Sequence, residues 1–444
     1  MIGIFILFII SLLIILFLIK KRKALYNYDV KKDYIYDMRS ADEVFDINIQ
    51  NKKIINSIKD VKYDTGMLEI HIASTLLGEI KQPYIIIKQG KNKFYQYFEY
   101  GAKGKRYLNI PKCIDFENKI NLETNNCNII KQNCKLFLFN NEIDLDENVC
   151  IIAPHPDDAE IAAYGLYGSS KDAYIVTVSA SESGKTIYQD LDLELDEQAI
   201  LKGKARVINS LSVPLLAGVK ANNCINYSYF GDALNDMYNN QNDIIKSRIS
   251  SIQNMKLFRD INHSTLIRDS YESSWNSLVE DLKYSLQKIK ADTFVLPFPM
   301  IDTHPDHKYS TLAVLEAIKS LGIKKGKLLL YTNHHILSES YPYGLENSSI
   351  LLPPNFSEEL EFDSIYSFEL DKSKQIEKKV ALEGMNVLRI FFPWNKNITI
   401  LNRVFKNIIN KIYGKRLDYF SRSVRSNELF FVVDIKNIDK LLLA

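Results

Sequence analysis

Two short stretches hold most of the groups able to do chemistry. Ile151-Ile152-Ala153 runs straight into Pro154-His155-Pro156-Asp157-Asp158, an imidazole followed by two adjacent carboxylates. Asp302-Thr303-His304-Pro305-Asp306-His307 repeats that grammar after a second apolar run. One such stretch would pass for a capped turn. Two of them, holding three of the seven histidines, point to a shared site. A catalytic zinc takes three protein ligands from His, Asp or Glu and keeps one position for water. His155, Asp158 and His307 supply such a set, so Zn2+ or another divalent metal is the expected cofactor. Asp157 is then a free carboxylate beside a ligand, placed to take a proton from a water whose pKa the metal lowers to about 7. His304 is expected to face the reacting carbonyl as an imidazolium, to stabilise an oxyanion or protonate a leaving amine. Asp306 is expected to hydrogen-bond His304 and keep it charged.

The remaining reactive residues carry weaker patterns. His334-His335 follows another strand and reads equally as a substrate contact or a surface turn. His71 and His263 have no partner pattern. The five cysteines form no CxxC pair and are odd in number, which argues against a thiolate zinc site or a disulfide framework and for a reducing compartment.

These groups must be positioned by strands and helices. From residue 148 onward, apolar strands alternate with amphipathic helices: Val149–Ala153, Glu160–Tyr167, Ala173–Ser179, Ala199–Leu211, Ser273–Lys290, Thr293–Phe298, Thr311–Leu321 and Lys327–Tyr331. Such alternation implies an α/β domain with a mostly parallel sheet and helices on both faces. Ligands of such sheets sit outside the carboxyl ends of the strands, where both His-rich stretches fall. Ala221–Ile261 is polar and Asn-rich and reads as an irregular insertion near the site. Ile398–Tyr413 reads as a packed terminal helix, with an amphipathic helix on a membrane as the alternative. Residues 61–147 hold short β-branched and aromatic runs separated by glycines, the pattern of a small antiparallel β-sandwich. Its aromatics fit a core better than a sugar-stacking surface.

The chain of 444 residues, 46% hydrophobic and 25% charged, has ordinary globular composition and room for two domains or more. Its net charge of +2 gives no electrostatic footprint for nucleic acid. Ile2–Ile19 is apolar and is followed by Lys20-Lys21-Arg22-Lys23. That pattern predicts an N-terminal transmembrane helix with a basic stop over 1–23, which makes the membrane a partner. The basic cluster places the following domains in the cytoplasm, on a single-pass protein of the inner, cytoplasmic membrane. The expected organisation is therefore anchor 1–23, juxtamembrane connector 24–60, β-domain 61–147 and catalytic domain 148–444.

At the two His-rich stretches the chain resembles the PIG-L/LmbE-like family of zinc-dependent N-acetylglucosaminyl deacetylases. The first motif is matched by Pro154-His155-Pro156-Asp157-Asp158, with Gly165 in the following helix, and the second by His304-Pro305-Asp306-His307. The resemblance covers roughly 148–389. It implies a Rossmann-like fold and removal of an N-acetyl group from a GlcNAc-type sugar. It also implies His155, Asp158 and His307 as metal ligands, Asp157 as general base and His304 as oxyanion stabiliser. Departures occur downstream. The usual Glu after the paired Asp is Ala159, with Glu160 one place on. Ser179 to Gly184 stands where Thr-x-Gly-Glu is common, which leaves Glu182 as the acidic candidate for substrate. Lys204 and Arg206 are the basic candidates in the next helix. The expected function is a membrane-anchored de-N-acetylase acting on a lipid- or nucleotide-linked GlcNAc-type sugar in surface glycan or glycolipid assembly. The alternatives are an O-acetyl esterase or other amidohydrolase with the same site, or an inactive glycan-binding scaffold.

Overall fold

A computed structural model describes residues 9, 13, 16–55, 58–59, 61–184, 192–385 and 419–441. The first sheet is antiparallel. It comprises β1 (Glu43–Gln50), β2 (Lys53–Ile54), β3 (Thr65–Ser74), β4 (Tyr84–Gln89), β5 (Asn92–Tyr97), β6 (Lys103–Ile110), β7 (Ile120–Asn125), β8 (Cys127–Ile129) and β9 (Asn133–Phe139). Its order is β5-β4-β7-β2-β1-β9-β3-β6, with β8 on β3. Alternate residues such as Ile47, Ile49, Leu68, Ile70, Ile85 and Ile87 share one buried core, so the sheet folds over on itself. The connector expected over 24–60 supplies β1 and β2 to this sheet. Val44, Phe45, Ile47 and Ile49 had the strand signal, but their polar flanks hid it.

The second part contains, in chain order, β10 (Asn148–Ala153), α1 (Asp158–Tyr167), β11 (Asp172–Ser179), α2 (Leu195–Ser212), β12 (Cys224–Tyr229), α3 (Leu234–Asn239) and α4 (Lys256–Arg259). It continues with α5 (Trp275–Ile289), β13 (Thr293–Pro297), α6 (Pro305–Ser320), β14 (Lys327–Tyr331), β15 (Ser364–Glu369), α7 (Lys372–Gly384), α8 (Tyr419–Ser423) and β16 (Asn427–Asp434). The strands pair in the order β12-β11-β10-β13-β14-β16-β15. The first five are mutually parallel, and β16 and β15 complete the sheet antiparallel. Successive residues of β10 point to opposite faces, and both faces are buried. Cys150 and Ile152 join the core that includes Ala199, Leu278 and Val314 of α2, α5 and α6. Val149, Ile151 and Ala153 join the core that includes Ala163 of α1 and Ala381 of α7. Continuous apolar strands are what such two-sided burial requires.

Three expectations are corrected. The insertion read as irregular contains β12, a fully buried strand beside β11. Its alternating Asn226 and Ser228 disguised it. Both are buried because they are hydrogen-bonded: Asn226 donates to Ser210 Oγ at 2.8 Å, and the Ser228 amide donates to Asn226 Oδ1 at 2.8 Å. The helix expected to begin at Thr311 begins at Pro305, so the second motif opens a helix. Proline suits that first position, where its missing N–H is not needed.

The third correction concerns localisation. Most of Ile2–Ile19 lies outside the described residues, as does the helix expected over Ile398–Tyr413. Among the described residues no helix is long and apolar enough to cross a membrane. The single-pass, cytoplasm-facing placement is therefore withdrawn.

Candidate active site

β10 and β13 are neighbours, with Cys150 opposite Phe294 and Ile151 opposite Val295. From β10 the chain moves outward to β11 and β12; from β13 it moves the other way to β14. This reversal leaves a crevice at the carboxyl ends of the two strands. Both motifs emerge there: 154–158 leads from β10 into α1, and 302–307 from β13 into α6.

Three donor atoms converge in the crevice. His155 Nδ1 lies 3.2 Å from Asp158 Oδ2. His307 Nε2 lies 3.1 Å from the same oxygen and 3.3 Å from His155 Nδ1. A tetrahedral ion with bonds of roughly 2.0–2.1 Å spaces its ligands by roughly 3.3–3.4 Å. The set therefore fits a divalent ion of zinc's size, and two imidazole nitrogens facing one carboxylate oxygen is the donor chemistry such an ion takes. His304 and His334 stand close by: the ligand atoms of His155, His304 and His307 lie within 4.8 Å of one another, as do those of Asp158, His307 and His334.

Each donor is held from behind. His155 Nε2 meets Asp306 Oδ2 at 3.1 Å. His307 Nδ1 sits 3.1 Å from Asp302 Oδ2, an ion-pair distance off the line of a hydrogen bond. Asn333 Nδ2 donates to Asp158 Oδ1 at 2.8 Å, leaving Oδ2 for the crevice. Such partners fix ring orientation and ligand basicity. Burial works against charge on all of these groups, and the neighbours outweigh it. Asp158 is held well below the usual carboxylate range by His307 and His155. Opposed by the same burial, His155 is raised to about 9 by hydrogen bonds to Asp158 and Asp306.

Asp157 turns the other way from its neighbour. Burial raises its carboxyl above the usual range, partly offset by Arg206. Arg206 Nη2 donates to the Pro156 carbonyl at 2.7 Å and lies 3.4 Å from Asp157 Oδ2. Asp157 has φ of +124°, a strained backbone, and its side chain caps no amide of α1.

His304 departs from its expected state. Its carboxylate partner was to be Asp306, but the Asp306 carboxylate is occupied by His155 and by the amides of Asp232 and Leu234, at 2.7 and 3.2 Å. What Asp306 gives His304 is its backbone N–H, donated to Nδ1 at 3.2 Å. Burial, together with repulsion from His155 and His307, pushes His304 down to about 4. Helix geometry is the reason: Asp306 is the second residue of α6, so its side chain reaches His155 and the amides of Asp232 and Leu234 while its own amide is capped by the His304 ring.

The three expected substrate contacts separate. Arg206 reaches the site but is buried against the 154–157 turn. Glu182 is fully buried, accepting from the Gly231 amide at 3.0 Å and Ser247 Oγ at 2.8 Å, so it ties the insertion down. Lys204 is half-buried on α2, and its side chain makes no hydrogen bond or ion pair among the described residues. Asp302 and Asn333 had been given no role. Asp302 opens the second motif, and Asn333 follows β14, the next strand along, so the strand-end rule marks both. His334, left between two readings, stacks on Tyr419 with ring centroids 5.2 Å apart beside His307.

No family model matches the chain, and no curated protein matches it. Among solved structures it is similar to the A40926 pseudoaglycone deacetylase Dbv21, at 14% identity and a TM-score of 0.35 over 65% of this chain and 98% of that one. It is also similar to a zinc-inhibited form of teicoplanin deacetylase Orf2, at 14% and 0.34 over the same shares. A third is GalB, the 4-carboxy-2-hydroxymuconate hydratase of Pseudomonas putida KT2440, at 12% and 0.31 over 65% and 95%. Superpositions at this level, spanning deacetylases and a hydratase, carry no argument about the reaction.

Proposed function

We propose that this chain is a divalent-metal-dependent hydrolase that removes the acetyl group from the nitrogen of a GlcNAc-type sugar. The observation that carries the reading is the triangle of His155 Nδ1, Asp158 Oδ2 and His307 Nε2, with edges of 3.1–3.3 Å, next to a buried second carboxylate. The amide and the acetylated sugar come from the resemblance of the two motifs to PIG-L/LmbE-like deacetylases. The 12-11-10-13-14 strand order, with the crevice at its reversal, supports a Rossmann-like reading of the sheet.

His155, Asp158 and His307 would hold the ion. When bound, it supplies Lewis acidity, which brings the pKa of water down towards 7 and polarises a carbonyl. Asp157 takes the proton of the attacking water on its carboxylate, and burial makes it a stronger base than an exposed carboxylate. Arg206 keeps that carboxylate and its turn in place. His304 works as a neutral donor. Because Nδ1 accepts from the Asp306 amide, the ring proton resides on Nε2, where it can stabilise the developing oxyanion. The proton taken by Asp157 passes to the departing nitrogen, so acetate and a free amine leave.

The test is Asp157→Asn assayed for acetate release, with metal content measured on the same sample. The expected outcome is a loss of about 10²–10⁴-fold with the metal retained. Full activity in that variant contradicts the assignment. An ester substrate hydrolysed faster than the amide would move the reaction to O-deacetylation.

A further inference from the structure

An exposed apolar stripe runs along the outer side of α2. Leu201, Ile208 and Leu215 are 43–52% exposed and recur every seven residues, the last of them in the 3-10 turn Val213–Ala217 that continues the helix. Seven residues are close to two helical turns, so the three side chains form one seam roughly 20 Å long. Leu216 widens it at the end. There α7 packs alongside, since a Cβ on Gly384 would lie 3.1 Å from Val213, and it adds the exposed Ile376 and Val380. Single apolar side chains on a surface are ordinary, but a row of them at helical spacing marks a contact.

The size of the face suits a protein partner. Six aliphatic side chains, each about half exposed, present on the order of 400 Å² of apolar surface. A standard interface takes roughly 800 Å² from each partner, of which roughly 57% is apolar. This face therefore supplies nearly all the apolar area that one protomer of a stable dimer contributes.

We propose that the face binds a second copy of this chain, with the two α2 helices antiparallel about a two-fold axis at Ile208. The pattern is its own complement. Reversed about Ile208, Leu201 meets the partner's Leu215 and Ile208 meets the partner's Ile208, as an isologous contact requires. The charges agree with the same arrangement. Lys204 borders the seam and comes opposite the partner's Ser212, in the last turn of α2, which has no basic residue of its own. A cation is favoured at that end of a helix. Glu194 and Glu197, exposed at the start of α2, come near the partner's Lys220, which is exposed just beyond its end. Arg206 leaves α2 on the buried side to hold the 154–157 turn, so the contact braces this helix and leaves the crevice open. The inference stands whether or not the chain is a hydrolase.

The experiment is sedimentation velocity on the full chain at micromolar concentration. The parent should sediment with twice the mass of one chain. Ile208→Arg sets two guanidinium groups face to face on the axis and should weaken self-association by about thirtyfold or more, as loss of a central interface residue does. Because Ile208 is exposed, this variant should keep the circular dichroism of the parent and the melting temperature of the diluted monomer. Leu201→Glu and Leu215→Lys should each associate weakly alone and recover association when mixed, because the introduced carboxylate then faces the introduced ammonium across the seam. A parent that stays monomeric, or an Ile208→Arg variant as dimeric as the parent, overturns the proposal. Mixed variants that fail to associate overturn the antiparallel arrangement.

Discussion

Asn333 and Asp302 supply no ligand atom to the ion triangle, yet they determine how its donors point. Asn333 fixes which oxygen of Asp158 faces the crevice, and Asp302 stands behind His307. Loss of such a partner commonly costs 10–100-fold in metal affinity. Asn333→Ala should therefore weaken zinc binding by about 10–100-fold in a chelator competition, with Asp157 and its chemistry intact. The protonation of His155 sets a second expectation. Hydrogen bonds to Asp158 and Asp306 raise it to about 9 against the pull of burial, so the ring is charged at neutral pH without an ion. A ligand must be neutral, so metal uptake releases that proton. His307 is raised as well, by Asp158 and Asp302 against the pull of burial, so affinity should fall on acidification by about tenfold per unit for each of the two protons displaced, read by titration calorimetry in buffers of different ionisation enthalpy. At this scale, residue types and spacing made the triangle and Asp157 legible. They did not reveal that Asp306 serves His155, because side-chain direction at a helix start is a three-dimensional property.

At the scale of elements, α1 carries Asp158 and is not a regular helix. Ala163, with φ −143° and ψ 21°, breaks it, and the freed amides of Gly165 and Leu166 donate to the two carboxylate oxygens of Glu428, at 2.9 Å each. Lys378 from α7 completes the buried pair at 2.8 Å. Gly165 leaves room for the close approach of Leu370, which an added Cβ would meet at 2.6 Å. Glu428→Ala should cost about 3–5 kcal/mol in denaturant unfolding, because Lys378 and two amides lose their partner in the interior. Adding Lys378→Met should restore part of the loss. The glycine was visible in the sequence, but its reason was not, since Leu370 and Glu428 lie more than two hundred residues away. β10, β13 and β14 were legible because strands buried on both faces read as unbroken apolar runs. β12 was missed because its Asn226 and Ser228 are satisfied by groups that only the folded sheet brings near.

At the scale of the molecule, the two sheets are joined by a common interior. Tyr34, Tyr36, Met67, Tyr107 and Phe137 lie in the same core as Phe362 and Phe431 of the second part. Tyr36 stacks on Phe431 with centroids 6.0 Å apart. Thr65 accepts from the Ser367 amide at 2.8 Å, and Asn141 donates to the Ile365 carbonyl at 2.8 Å. A chain of 148–444 produced alone would expose this surface, and it should bind an apolar dye and melt below the full chain. Composition could not announce such a seam, since the same aromatics would fill a core internal to either part. Metal-dependent hydrolysis by this chain is tested by acetate release from N-acetylglucosamine by the purified protein. The assay is run as prepared, after removal of metal by a chelator, and after zinc is returned at one equivalent. Release should be lost with the metal and recovered with one ion per chain. Undiminished release by protein shown to be metal-free would contradict metal-dependent hydrolysis.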